Sequence, residues 1–384
     1  MGRDSTVLVG VDGSAPSRRA LGWAVQQAHR HGWSLRLVCT YALPSFATAA
    51  LDGGYAYVDD SAIRDGARAV LDEALAHVGD EGLEVTGELA TGDAAGVLVG
   101  LSKEVALTVV GTRGRGGFAD RLLGTVSSAL PAHAHAPTVV VPLRGEVPRE
   151  PEDAVGGLFG PTAPGPAPVR TPTTTPAPTV GTAGTLRPTS GATPVVDEPS
   201  APLGAGPAAA GASALAGFSV PWSDGRSAAA SALRPVRSVV VGVDGSRQAE
   251  RALRYAAREA EVWGAQLTAV AAVPLAAANG VLAWLPAVVD QEQILADSRA
   301  QLDAVVDRVL GDRPGLAVRR IVLDGTGAQL LTEFSTATDL VVVGSRGRGG
   351  FRGLLLGSTS QAVLHHARCP VMVVTDRSDD VPPF

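Results

Sequence analysis

The sequence predicts an α/β protein built from two tandem domains, each a doubly wound, five-stranded parallel sheet. Three observations lead to this prediction: short apolar runs alternate with helical patterns, the whole pattern occurs twice, and a proline-rich stretch separates the two copies. Strands that alternate with helices, and that are apolar along their whole length, are typical of parallel sheets covered on both faces.

The repeat becomes visible when residues 5–143 are set beside residues 237–375. VLVGVDGS at 7–14 returns as VVVGVDGS at 239–246, and residues 19–38 return at 251–270, both at an offset of 232. GTRGRGGF at 111–118 returns as GSRGRGGF at 344–351, at an offset of 233. A period of this length indicates two tandem domains rather than a solenoid. We place the domains at residues 1–144 and 235–378.

The elements of each copy can be taken in order. VLVGV is the first strand, and the apolar residues Ala20, Trp23, Ala24 and Ala28 follow at the spacing of one helical face. Next come the strand LRLVCTYA, a helix over 67–78, the strand LEVTGEL, a short helix over 94–105, the strand LTVVG, a helix from position 124 and the strand APTVVVP. A proline in a helix interior costs about 3 kcal/mol, so Pro131 predicts that this last helix is short or kinked. The second copy repeats the order, with 267–273 as its second strand.

The region between the copies has a different composition. Sixteen of the 27 prolines fall within 148–235, mixed with alanine, threonine and glycine. Such a stretch has no apolar periodicity with which to offset the entropy of ordering. We therefore predict a disordered linker over 145–234, partly in the polyproline-II conformation.

Bulk composition excludes several classes of protein. Hydrophobic residues make up 45% of the chain, and the net charge is −6 with a pI near 5.7, which argues against a nucleic-acid partner held by overall charge. Two distant cysteines, Cys39 and Cys369, indicate neither a disulfide framework nor a zinc site.

The uncharged stretch 262–289 contains Pro274 and Pro286, which disfavour a membrane span, and we expect no membrane partner. No signal peptide is evident, so we expect a cytoplasmic protein.

The residues that could carry chemistry follow the strands. Asp12 and Asp244 come after the first strand of each copy, where ligands bind in open parallel sheets. A pattern G-x2-G-x9-G-[ST] then begins at the end of the fourth strand and finishes at a helix start. Glycines let the backbone approach a phosphate and adopt positive φ, and a helix N-terminus offers free N–H groups and a positive dipole end. The pattern therefore predicts a phosphate-binding loop in each copy.

The VGVDGS strand end, the glycine pattern and the closing APTVVV or CPVMVV strand together resemble the universal stress protein (UspA) family, and more narrowly its ATP-binding branch. The resemblance covers both domains and leaves out the linker. It implies an adenine-nucleotide alpha-hydrolase-like, Rossmann-like fold, ATP bound with Mg²⁺ in each domain, and a regulatory or sensing role in the stress response. It also implies pairing of the two domains through their last strands, or a homodimer.

The resemblance also implies nucleotide contacts, residue by residue. Asp12 and Asp244 would meet the adenine–ribose end of ATP, and the backbone near Thr40 and Ala272 would contact adenine. The ribose and phosphates would be lined by the glycine patterns and the residues beside them: Gly111, Gly114, Gly124, Thr125 and Val126 in the first copy, and Gly344, Gly347, Gly357, Ser358 and Thr359 in the second. We expect the second copy, which follows the pattern more cleanly, to be the tighter site.

Other interpretations stay open. The two aspartates are also good turn formers, since Asp-Gly-Ser is favourable turn chemistry. No catalytic base or nucleophile is evident beside the loops, and no side chain is assigned as catalytic or metal-ligating, so we do not predict an enzyme. A slow ATPase or phosphotransferase, and a structural adaptor with vestigial nucleotide sites, remain alternatives.

Histidines near the end of each last helix differ in spacing between copies, which favours solvated helix ends over a metal site: His133, His135, His365 and His366.

Overall fold

The computed structural model describes residues 4–42, 61–114, 123–143, 235–275, 291–313, 315–348 and 355–378. The predicted linker at 145–234 lies outside the described residues, as do positions 115–122 and 349–354 of the glycine-rich stretches and positions 276–290 of the apolar segment. We refer to the described parts of 4–143 as the first domain and of 235–378 as the second domain.

The first domain alternates strands and helices along the chain. Its elements are β1 (Asp4–Gly10), α1 (Ala15–His31), β2 (Ser34–Tyr41), α2 (Ser61–Val78), a short 3₁₀ turn (Gly79–Glu81), β3 (Val85–Thr91), α3 (Ala94–Leu101), β4 (Val105–Gly111), α4 (Thr125–His133) and β5 (Thr138–Val141).

The second domain repeats the same order. Its elements are β6 (Ser238–Gly242), α5 (Arg247–Trp263), β7 (Gln266–Val273), α6 (Gln291–Leu310), β8 (Val318–Asp324), α7 (Gly327–Phe334), β9 (Leu340–Gly344), α8 (Ser358–His366) and β10 (Val371–Val374). Each domain thus has the predicted five strands and four helices. The uncharged stretch that begins at position 262 contains strand β7, as the repeat predicts, and none of the described helices is long and apolar enough to cross a membrane.

The ten strands form one sheet in the order β3-β2-β1-β4-β5-β10-β9-β6-β7-β8. All pairs within a domain are parallel, whereas β5 and β10 pair antiparallel, with Met372 opposite Val139. The α/β fold with mostly parallel strands is therefore confirmed. The pairing of the two halves through their last strands, implied by the resemblance, is present within the single chain.

The inner strands are buried on both faces, as β1 illustrates. Val7 and Val9 of β1 are fully buried in a core that α1 and α2 cover, while Leu8 between them points to the opposite face. Helices α3 and α4 pack together, and their buried residues Leu98 and Leu130 lie outside the first core. This arrangement is the doubly wound architecture that the continuous apolar runs predict.

The first helix of each domain begins and ends at residues suited to capping. Ser14 caps α1 by accepting a hydrogen bond from the Ser17 N–H, and Ser246 does the same for α5. Gly32 and Gly264 end these helices at φ of 65° and 64°, a conformation that glycine adopts without a steric penalty. Both ends of α1 and of α5 are therefore capped, and the N-cap serines fix the point at which the aspartate turn enters each helix.

Several predicted boundaries shift. Helix α2 begins at Ser61, earlier than the predicted start at Ala67, and α3 ends at Leu101 instead of continuing into Val105, which starts β4. The prediction that Pro131 shortens its helix is wrong, because α4 and its counterpart α8 both contain nine residues. Pro131 lies near the end of α4, where it interrupts only the last turn.

Candidate functional site

The first candidate site is a cavity of about 320 Å³ at the carboxyl ends of β1, β2 and β4. The strand order places β1 and β4 side by side, so the segments that follow them meet above this edge. All seven residues predicted for the first copy line the cavity: Asp12, Thr40, Gly111, Gly114, Gly124, Thr125 and Val126.

The second domain has a cavity of about 450 Å³ in the equivalent place. The seven residues predicted for the second copy also lie together in its wall: Asp244, Ala272, Gly344, Gly347, Gly357, Ser358 and Thr359. Residues that are far apart in the chain, such as Asp244 and Gly357, therefore converge on one space in each domain.

The aspartate after the first strand has two structural roles. Asp12 Oδ1 accepts a hydrogen bond from the Ser14 N–H at 2.9 Å, and Asp244 Oδ1 accepts one from the Ser246 N–H at 2.9 Å. These contacts make the Asp-Gly-Ser turn, as the turn interpretation expects. The second oxygen faces the glycine loop, since Asp244 Oδ2 accepts a hydrogen bond from the Arg348 N–H at 2.9 Å. The carboxylate therefore fastens the turn after β6 to the loop after β9.

The loop glycines are needed for close approach. A Cβ on Gly114 would lie 2.5 Å from Asp12 Oδ2, and one on Gly347 would lie 2.5 Å from Asp244 Oδ2. A Cβ on Gly111 would lie 2.6 Å from the backbone of Pro16, in the first turn of α1. Such distances are far below normal van der Waals contact, so any side chain at these positions displaces a neighbour.

The expectation of positive φ at the glycine loops is wrong for the described glycines of the pattern. Gly124 has φ of −83° and Gly357 has φ of −70°, both in the extended region. Positive φ is found instead in the aspartate turns, at 74° for Gly13 and 77° for Gly245. The backbone strain that glycine relieves therefore lies beside the aspartates, and the loop glycines provide space.

The third glycine of the pattern starts a helix whose first N–H groups face the cavity. Gly124 is the N-cap of α4 and Gly357 is the N-cap of α8. The residues after each cap, Thr125 and Ser358, are exposed and line the cavity. Because the first N–H groups of a helix have no partner within the helix, this end can bind an anion.

Two buried serines in the helix starts were missed by the sequence prediction. Ser127 Oγ accepts a hydrogen bond from the Gly124 N–H at 2.9 Å and donates to the Thr112 carbonyl at 2.6 Å. Ser360 Oγ likewise donates to the Ser345 carbonyl at 3.0 Å. Each serine ties the first part of the glycine loop to the helix that completes it. The available signal was a serine three residues after the last glycine in both copies, which is the N3 position of a capping box.

Arginine side chains supply positive charge at the cavity rims. Arg113 lines the first cavity, and Arg346 and Arg348 line the second, where both are exposed. Arg348 also packs over the aspartate turn, because a Cβ on Gly245 would lie 2.7 Å from its guanidinium. Cations around a helix N-terminus favour a negatively charged ligand.

The two cavities differ in a few lining residues. The first has Thr40 and Ala94 where the second has Ala272 and Gly327. The second replaces the apolar Val126 by a threonine. The smaller residues in the second domain agree with its larger cavity volume.

The four histidines singled out in the sequence line neither cavity. His365 and His366 are neighbours with ring centroids 6.2 Å apart, and burial, followed by the nearby His366, lowers the pKa of His365. Among the described residues, no group of three or more histidine, cysteine, aspartate or glutamate side chains could hold a metal ion. Cys39 and Cys369 are buried, and neither is part of a disulfide.

Comparisons with known proteins agree with this architecture. A universal stress protein of Mycobacterium tuberculosis is 28% identical over 400 residues, which cover 98% of this chain and 97% of that protein. A second one from the same organism is 28% identical over 381 residues and covers 96% of each chain. The crystal structure of a universal stress protein from Archaeoglobus fulgidus has a TM-score of 0.55 at 18% identity and covers 98% of both chains, which shows a shared fold.

The family model for universal stress proteins matches the chain twice, at residues 5–142 and 235–375. Apart from Asp4, the first residue of β1, these two matches contain all the strands and helices described above, and together they span most of the sequence. The resemblance to the universal stress protein family noted in the VGVDGS and glycine patterns is confirmed. The chain belongs to the universal stress protein family.

Proposed function

We propose that the chain binds an adenine nucleotide, ATP with Mg²⁺, in each of its two cavities, and that nucleotide occupancy gives it a regulatory or sensing role. The observation that carries the proposal is the convergence of an aspartate turn, a glycine loop and a helix N-terminus on one cavity in each domain. When bound, ATP would supply a triphosphate of high negative charge to which Mg²⁺ can coordinate.

The geometry of each site fits this ligand. Volumes of about 320 and 450 Å³ lie within the range of roughly 300–1,000 Å³ typical of small-molecule sites. The α4 and α8 N-termini can donate backbone N–H groups to phosphate oxygens, and the exposed hydroxyls of Thr125 and Ser358 can donate beside them. The strand-end residues Thr40 and Ala272 also line the cavities, at the ends of β2 and β7, and the base would lie beside them.

We further propose that the second cavity binds ATP more tightly than the first. Its volume is larger, about 450 Å³ against about 320 Å³. Thr359 adds a hydroxyl at the helix start where the first domain has Val126. A hydrogen bond to a charged group adds about 1.5–3 kcal/mol, which is enough to separate the two affinities.

Calorimetric titration of the full chain with ATP, ADP and AMP tests the proposal. We expect two ATP molecules per wild-type chain, one in each cavity. Gly114→Ala and Gly347→Ala should each abolish one of them, because the new Cβ displaces the aspartate that faces the loop. The double variant should bind none, and removal of Mg²⁺ with a chelator should weaken ATP binding more than AMP binding.

Gly100→Ala is the matched control. Gly100 is an exposed residue of α3, and a Cβ placed on it meets nothing within 4 Å. This variant should retain wild-type stoichiometry and affinity. A wild-type chain without measurable affinity for ATP, or a double glycine variant that still binds two equivalents, would overturn the proposal and favour an adaptor with vestigial sites.

A further inference from the structure

A buried polar cluster lies between the two domains, away from both cavities. It joins α1 of the first domain to α5 of the second. Gln27 is fully buried, and Glu259 is 3% exposed. The Gln27 amide donates a hydrogen bond to Glu259 Oε2, and Trp263 Nε1 donates to Gln27 Oε1 at 3.1 Å. His31 Nε2 lies 3.3 Å from Glu259 Oε1, with both side chains almost completely buried.

The members of this cluster occupy equivalent positions in the two copies. Gln27 and Glu259 are 232 residues apart, the offset of the repeat in this region, and so are His31 and Trp263. Gln27 therefore contacts its own counterpart, Glu259, across the interface. His31 contacts Glu259 and Trp263 contacts Gln27, so each of them meets the residue one helical turn before its counterpart. The two copies have diverged at these positions so that one side presents an amide and an imidazole and the other a carboxylate and an indole.

The divergence makes the two surfaces complementary. The Glu259 carboxylate only accepts hydrogen bonds, and the Gln27 amide of the first domain donates to it. His31 Nε2 lies 3.0 Å from the Gln27 amide nitrogen and 3.3 Å from Glu259 Oε1, so its tautomer decides whether it accepts from Gln27 or donates to Glu259. The Trp263 indole only donates, and the Gln27 carbonyl oxygen accepts from it. A buried amide is the one group in this cluster that can satisfy both partners at the same time.

The second-domain surface is mismatched to itself. Two copies of the α5 surface would place one Glu259 carboxylate against another in a buried contact, where the only donors from this cluster would be the Trp263 indoles and the two negative charges would face each other. Two copies of the α1 surface would place Gln27 against Gln27, which is a neutral amide pair without a carboxylate for His31. Like charges in a buried contact are costly, so self-pairing of the second domain is the less favourable arrangement.

We propose that the Gln27–Glu259 contact, supported by His31 and Trp263, determines which domain pairs with which. The surface formed by α1 and β5 fits the second domain, and the surface formed by α5 and β10 fits the first. Pairing of the two last strands alone would not make this distinction, since β5 and β10 are both short, apolar strands that could each pair with a second copy of themselves. The second domain is thus matched to the first and mismatched to a second copy of itself.

The full chain allows a direct test, because single substitutions reproduce the self-paired contacts inside it. Gln27→Glu creates the carboxylate–carboxylate contact of a second-domain self-pair. Glu259→Gln creates the amide–amide contact of a first-domain self-pair. The exchanged variant, Gln27→Glu with Glu259→Gln, restores one amide and one carboxylate on opposite sides.

Thermal unfolding at pH 8 should rank these variants. We expect Gln27→Glu to lower the Tm by at least about 6 °C, and the exchanged variant to recover most of that loss. Glu259→Gln should lower the Tm by less, because no unpaired charge is buried. Gln26→Glu places the same charge at the neighbouring half-buried position of α1 and should change the Tm little.

A pH titration separates the charge effect from a loss of packing. In Gln27→Glu the two carboxylates cannot both ionise easily, so one of them gains a proton in the folded chain at a higher pH than in the unfolded chain. Its Tm deficit relative to wild type should therefore be largest at high pH and shrink as the pH falls. The other charged or titratable groups around the contact are common to both proteins: His31, Arg30, Arg258, Tyr255 and Arg313.

Two results would overturn the proposal. One is a Gln27→Glu chain that unfolds at the wild-type Tm. The other is an exchanged variant that is no more stable than Gln27→Glu, since the two positions would then act independently. If Gln27→Glu does not fold, the exchanged variant decides: a folded protein near the wild-type Tm supports the proposal, and a second failure contradicts it.

Discussion

Asp12 and Asp244 use their two carboxylate oxygens for different purposes. One oxygen accepts the N–H of the serine two residues later and so shapes the turn after the first strand. The other oxygen stands where a side chain at Gly114 or Gly347 would have to be. The contacts support the turn interpretation of these aspartates and add a second role, in which the carboxylate holds the glycine loop in place.

Ser127 offers a test of how the loop is held. Its hydroxyl is buried and bonded both to the Gly124 N–H and to the Thr112 carbonyl. We expect Ser127→Ala to lower the free energy of unfolding by about 1 kcal/mol, since it removes a cap and one of the two hydrogen bonds that the Thr112 carbonyl accepts. Ser128→Ala is the control, because this neighbouring hydroxyl is exposed, and it should change stability by only a few tenths of a kcal/mol. Urea denaturation measures both, and equal effects would contradict the prediction.

Among the elements, β4 and β5 carry a polar pair that their counterparts lack. Thr108 and Thr138 lie opposite each other in these strands, and both are fully buried. Neither hydroxyl oxygen has a hydrogen-bond partner within the described structure. The equivalent residues of β9 and β10 are Val341 and Val371, which are also buried. The second domain therefore has apolar side chains at the two equivalent positions in the sheet.

This comparison predicts a stabilising substitution. Thr108→Val should raise the free energy of unfolding by about 1 kcal/mol, because it removes a buried hydroxyl that forms no hydrogen bond. Val341→Thr, the reverse change in the second domain, should lower it by a similar amount. Chemical denaturation of the full chain measures both. A Thr108→Val chain that is less stable than wild type would show that the hydroxyl is satisfied in solution.

The elements could be predicted largely because their signals are local. Apolar runs and helical spacings can each be recognised within a short stretch of sequence, and the repeat shows them twice. The ends of the helices were placed less well, as the early start of α2 shows. The glycine pattern indicated where a loop approaches something closely. It could not indicate what is approached, since the Asp12 carboxylate and the Pro16 backbone are distant in the chain.

The residues that line the cavities could be predicted from the sequence, whereas the residues that hold those segments in place could not. The glycines and the aspartates carry family-specific spacing, whereas Ser127 and Ser360 are common residues whose role depends on two chain segments meeting. The Gln27–Glu259 contact depends on an interface between domains, and no local pattern marks it. Long-range packing decides such contacts, and a single sequence contains no direct record of it.

At the scale of the whole molecule, the centre of the sheet is its most protected part. The four residues of β5 and the four of β10 are all buried, whereas the outer strand β3 is half-buried or exposed along its length. We predict that backbone amides of 138–141 and 371–374 exchange with deuterium more slowly than those of 85–91 and 318–324, because the centre opens only when the domains separate. Hydrogen-exchange mass spectrometry measures this. Equally fast exchange at the centre and at the edges would mean that the two domains part readily in solution.

The antiparallel junction of β5 and β10 also determines where the two cavities face. Each cavity lies at the carboxyl ends of its own parallel strands, and the junction reverses the strand direction between the halves. The two openings therefore lie on opposite borders of the sheet, and one flat surface cannot cover both. If nucleotide occupies both cavities as proposed, a macromolecule that responds to it can contact only one border at a time unless it reaches around the molecule. The duplication thus gives the chain two separate borders, each with one cavity.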